Sequence, residues 1–105
     1  MRTKPLASVK SDRLLQQHRI LEALQRGEEQ VLIGPIYELR SQPGVRLRVA
    51  FHRDDEDRLC VGYASKTSGD WLIVESEPYS MRALAYYERR LKRIGDFVES
   101  APRKR

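Results

Sequence analysis

The stretch IYELRSQPGVRLRVAFHRDDEDRLCVGYASK, residues 36–66, decides the fold. It reads as three consecutive antiparallel strands joined by two turns. In the middle strand Val45, Leu47, Val49 and Phe51 share one face, and Arg46, Arg48, Ala50 and His52 share the other. In the next strand Leu59, Val61 and Tyr63 fall with the first face, and Cys60, Gly62, Ala64 and Lys66 with the second. Tyr37 and Leu39 of the preceding strand face the core, which sends Glu38 and Arg40 the other way. The second face thus carries Arg40, Arg46, Arg48, His52 and Lys66 around a floor of small residues. Small residues in a strand mark a place where something approaches the backbone closely. That something is either another part of the same chain or an anionic ligand.

Working outward, Gln42-Pro43-Gly44-Val45 matches a type II turn, with Pro second and Gly third. The acidic run Asp54–Asp57 makes the second turn; it lacks the alternate spacing and glycine of a calcium loop and reads as a solvated hairpin tip. Upstream, residues 11–26 are predicted to form a helix capped by Ser11, with Leu14, Gln17, Leu21 and Leu24 at helical spacing and Gly27 as C-cap. His18 lies at the edge of that stripe with no partner at metal-ligand spacing. Residues 31–33 are extended, and Gly34-Pro35 is expected to interrupt them.

Downstream, residues 71–75 (WLIVE) are apolar enough to predict a fourth strand covered on both sides. Either Ser76, with Pro78 just inside, or Ser80 caps a last helix whose apolar stripe is Leu84, Tyr87, Leu91, Ile94 and Val98. Its other positions include Glu88, Arg89, Arg90, Lys92 and Arg93, which is either a solvated helix face or a basic ridge for nucleic acid. The expected fold class is therefore α+β: an N-terminal helix, a three- to four-stranded antiparallel β-meander and a C-terminal helix, with both helices on one side of the sheet. The expected organisation is a flexible basic arm (residues 1–10), a single domain (11–100) and a basic tail (101–105).

With 105 residues, a net charge of +5 and a pI near 9.7, the chain suits a polyanionic partner. Its one cysteine, Cys60, excludes an internal disulfide framework and fits a reducing, cytoplasmic setting. No apolar run is long enough to cross a membrane, and no hydrophobic segment follows the basic start. Nothing in the sequence calls for a cofactor or a metal.

Residues 36–67 resemble the central hairpins of RelE/ParE-superfamily toxins, in particular the HigB-like, phage-type branch. The resemblance rests on Tyr37-Glu38-Leu39-Arg40, on Arg48-Val49-Ala50-Phe51 and on Lys66-Thr67, with the preceding helix and a final helix containing Ala85, Arg89 and Arg90 in agreement. It covers residues 12–67 and, more weakly, the last helix. The family's first strand and first helix have no counterpart here, which predicts an exposed sheet edge unless residues 31–33, residues 71–74 or a partner cover it, and residues 68–80 are longer than the family pattern. The resemblance implies a toxin paired with an antitoxin protein, cleaving mRNA at the ribosome without a metal or, in the ParE branch, blocking gyrase. Such a ribonuclease needs cations on the phosphate and groups that move protons. Arg40 and Arg48 suit the phosphate, Arg46 the positioning of the substrate, and Lys66 or His52 the proton transfer. Arg89, Arg90 and Arg93 are expected to contact nucleic acid. The alternative is a non-catalytic accessory module that binds nucleic acid or protein, self-associating through the exposed strand edge.

Overall fold

The computed structural model describes the backbone of residues 6–98 and the side chains of residues 16–98. The elements run α1 (Leu6–Gln25), β1 (Val31–Leu39), β2 (Arg46–Arg53), β3 (Leu59–Lys66), β4 (Leu72–Pro78), α2 (Met81–Ile94) and β5 (Gly95–Val98). The five strands form one antiparallel sheet in the order β4-β3-β2-β1-β5. The fold is α+β with a helix near each end of the described chain, as expected; the sheet has one strand more than the meander predicted.

The alternation read in residues 45–63 holds. Leu47, Val49, Phe51 and Val61 are buried on the first face, together with Tyr37 of β1. Both helices lie on that face: Ile20 and Leu24 of α1, and Ala83, Leu84, Tyr87 and Leu91 of α2, complete the core. Fully burying one such side chain contributes about 1.5–3 kcal/mol, so this single cluster dominates the stability of a chain this small.

Helix α1 starts at Leu6 rather than Ser11, which therefore lies inside the helix and does not cap it. After Pro5 the run Leu6-Ala7-Ser8-Val9-Lys10 contains no helix breaker, so the expected arm overlaps the helix from Leu6 onward. Residues 1–5 and the predicted tail, 101–105, lie outside the described residues. Strand β1 runs through Gly34-Pro35, with its register shifted between Ile33 and Tyr37. Gly34 accommodates the shift at φ 76°, in the left-handed region that only glycine enters freely.

The expectation of a strand covered on both sides at residues 71–75 is overturned. Strand β4 is an outer strand, with Leu72 68% and Val74 55% exposed. Its apolar run lies at a sheet edge. Ser80, not Ser76, caps α2: its hydroxyl accepts the Ala83 N–H at 3.0 Å. Helix α2 also ends before the predicted stripe does. At Gly95 the chain turns extended, and β5 pairs with β1 from Ile36↔Val98 to Leu39↔Gly95. Ile94 is consequently exposed and Val98 belongs to a strand. The β1 side of the sheet is thus covered by β5.

Candidate nucleic-acid interface

Arg46, Arg48, His52 and Lys66 do share the face opposite the helices, but they do not form one open site. Arg46 and Lys66 are direct cross-strand partners, and Arg48 lies two residues further along β2 opposite Ala64. His52 lies four residues beyond Arg48, about 13 Å along the strand. Its Nδ1 lies 3.1 Å from the Arg53 carbonyl oxygen, which can only accept, so the neutral ring donates from Nδ1. Its Nε2 then accepts from the Ser76 hydroxyl at 2.7 Å. Both ring nitrogens are thereby engaged within the protein.

The other cations predicted for this face are engaged as well, except Arg46. Arg48 Nε donates to the Gly34 carbonyl at 3.0 Å, closing the irregularity in β1. The Lys66 ammonium sits 5.9 Å from the centre of the Trp71 ring. Arg40 holds Asp96 of β5 through a forked pair of contacts, Nε lying 3.0 Å from Oδ1. The hydrogen bond and charge of Arg40 push the Asp96 carboxyl below its ordinary range, and the Arg40 guanidinium is raised in turn.

The floor of small residues has an explanation within the fold. A bulge in β4 at the Tyr63/Ala64 step folds its main chain over Gly62: a methyl group there would clash with the Glu75 carbonyl oxygen and stand 2.6 Å from Ser76 Cα. The sheet also coils. Gln30, just before β1, donates from Nε2 to the Trp71 carbonyl, just before β4, at 3.0 Å. Two whole strands separate these ends in the sheet, so a flat sheet could not bring them together; the accumulated right-handed twist does. Ala50 and Ala64 are 0% exposed on a face that no helix covers. At Gly62 the close approach is therefore made by the protein's own backbone. Of the two occupants that the small residues left open, the chain itself takes the place at Gly62.

The turn between β2 and β3 is a self-contained device. Asp54 Oδ1 accepts the N–H groups of Glu56 and Arg58 at 2.9 and 2.8 Å, and Oδ2 accepts from Arg58 Nε at 2.8 Å. The backbone hydrogen bond from Arg58, foremost, lowers the Asp54 carboxyl below its ordinary value. Asp54 and Asp96 thus both bind protons less readily folded than unfolded. Their stabilisation is present above the unfolded carboxylate value of about 3.9 and is lost as pH falls through the lower folded value. Thermal melting between pH 6 and pH 2.5 is expected to show this loss below about pH 4, with Asp54→Asn reducing it.

A different set of cations converges on α2. Arg82, Tyr86, Arg89 and Arg93 recur at spacings of four, three and four residues, which places them in one line along the helix. Three surface depressions follow that line. The first, about 320 Å³, is lined by Glu75, Glu77, Ser80, Arg82, Ala83 and Tyr86. The second, also about 320 Å³, is lined by Tyr86, Arg89, Arg90, Arg93 and Ile94. The third, about 390 Å³, is lined by Arg40, Ser41, Arg93, Ile94 and Gly95. Each shares residues with the next, Tyr86 at one junction and Arg93 and Ile94 at the other, so the three adjoin one another as a segmented groove beside α2.

Five arginines border this groove. Arg90 is anchored: its contacts with Tyr63 first, then with Tyr86 and the Glu75 carboxylate, raise its affinity for the proton. Glu75 also accepts the Tyr87 hydroxyl at 3.2 Å; burial, foremost, then pushes Tyr87 above the ordinary tyrosine value. Arg82, Arg89 and Arg93 form no ion pair with any described residue. Of the residues expected to contact nucleic acid, Arg89, Arg90 and Arg93 come together here, joined by Arg40; Arg46, with Arg48 and Lys66, lies on the opposite side of the sheet. Tyr86 and Arg82 were not singled out from the sequence, although their spacing from Arg89 was visible there.

Among the described residues no three His, Cys, Asp or Glu side chains gather in a way that would hold a metal ion, and no helix is long and apolar enough to cross a membrane. No family model, curated protein or solved structure matches the chain.

Proposed function

We propose that this protein is a non-catalytic nucleic-acid-binding module that lays a strand along the groove beside α2. The observation that carries the reading is the alignment of Arg82, Arg89 and Arg93, unpaired among the described residues, along a row of adjoining depressions that ends at Arg40. Guanidinium groups offer planar, permanently charged forks that match phosphate. The net charge of +5 adds long-range attraction for a polyanion. The non-catalytic reading is supported by the engagement of the candidate proton-transfer groups within the protein: His52 contacts Ser76 and Arg53, and Lys66 lies over Trp71.

A labelled 20-nucleotide RNA is expected to bind at 50 mM salt, to weaken steeply towards 200 mM, and to be recovered at full length. No binding at low salt would reject the reading. One observation favours the toxin-like alternative, a ribonuclease acting on ribosome-bound mRNA and held in check by an antitoxin: Arg46 and Lys66 face each other directly, with Arg48 nearby. Ribosome-dependent cleavage abolished by Arg48→Ala or Lys66→Ala would establish that reading instead.

A further inference from the structure

We infer that the groove selects single-stranded nucleic acid, with one base stacked on Tyr86 and the flanking phosphates on Arg89 and Arg93. This rests on the reading of the groove as a nucleic-acid site and names the form of ligand it takes. Tyr86 is 41% exposed, yet its ring is held. It packs edge-to-face with the Tyr87 ring, 5.0 Å between centroids and 80° between planes, and its hydroxyl accepts from Arg90 at 3.2 Å. A ring fixed in this way loses little freedom when a base lands on it.

Tyr86 is also the residue common to two neighbouring depressions of opposite character. Towards the C-terminal end of α2 lie Arg89, Arg90 and Arg93; towards the N-terminal end lie Glu75 and Glu77, with Arg82. Phosphates are drawn to the first and repelled by the carboxylates of the second. A base edge suits the second, where carboxylate oxygens accept from exocyclic amino groups. A duplex keeps its bases stacked on one another and offers no free ring face to a tyrosine. A basic track interrupted by one exposed aromatic ring is the arrangement by which proteins hold unpaired strands.

The test compares a labelled 12-nucleotide oligo(dC), a 12-base-pair duplex and heparin fragments, using the full-length chain. The single strand is expected to bind at least roughly tenfold more tightly than either competitor. Tyr86→Ala is expected to weaken oligo(dC) binding roughly tenfold, with Tyr86→Phe close to wild type and duplex binding unchanged. Tyr86 is partly exposed, so the variant should fold, and an unchanged thermal melt checks this. Equal binding of strand and duplex, or a Tyr86→Ala variant that binds oligo(dC) like wild type, overturns this inference while leaving the groove as a nucleic-acid site. Heparin bound as tightly as oligo(dC) overturns it too. Failure of the wild-type chain to bind either nucleic acid overturns both.

Discussion

Replacing Gly62 by alanine is expected to destabilise the fold by about 3 kcal/mol or more, a lowering of the melting temperature of at least about 12 °C for a domain of this size. The sign is what makes the result informative. In an ordinary strand interior glycine is the weaker residue, and alanine would stabilise by about 0.5–1 kcal/mol through the unfolded chain. Here the added methyl would collide with the Glu75 carbonyl and with Ser76 Cα, both main-chain atoms of β4 that cannot move aside as a side chain would. Relief requires undoing the bulge that sets the register between β3 and β4 and that lets Ser76 reach His52. Urea denaturation measures the effect; a change within 0.5 kcal/mol would mean that β4 does not lie over this position.

Reversing two charges of the groove, Arg89→Glu with Arg93→Glu, is expected to weaken oligonucleotide binding on the order of a hundredfold at 50 mM salt and to flatten its salt dependence. Each lost phosphate contact removes about 0.7 from the slope of log K against log salt for a single strand. The loss of two contacts therefore lowers the slope by about 1.4. Both side chains are exposed and belong to no ion pair with a described residue, so folding should be little affected. The matched reversal on the other side of the sheet, Arg46→Glu with Lys66→Glu, is expected to change affinity less than about threefold, the share owed to net charge alone. Binding measured by fluorescence anisotropy at several salt concentrations separates the two surfaces.

The contrast between those surfaces shows what could be read from the residues and what could not. Alternation in residues 45–63 placed Leu47, Val49, Phe51 and Val61 on the core face, because a buried face enforces a period of two. Gly44 after Pro43 marked its turn, and Gly44 indeed sits at φ 98°. Gly62 and Ala64 signalled a close approach, but composition alone cannot say what approaches. Coiling and a bulge brought the chain's own β4 there, and both depend on pairings distant in sequence. Trp71–Glu75 looked interior because its residues are apolar, whereas strand order, which no local pattern encodes, put it at the edge. Val98 continued the helical stripe by number, yet Gly95 released the chain into β5, whose pairing with β1 is again non-local. Arg89, Arg90 and Arg93 were legible as a basic run. Their union with Tyr86 and Arg40 required the turn at Gly95 that brings the end of α2 beside the β1–β2 hairpin.

The central claim is that nucleic acid lies along α2 and not on the sheet face. Titrating ¹⁵N-labelled protein with oligo(dC) and following the backbone amide signals tests it residue by residue. Shifts concentrated at residues 80–96 and at Arg40 and Ser41 are the predicted result. Shifts concentrated instead at Arg46, Arg48, His52 and Lys66, with the α2 signals unmoved, would contradict it.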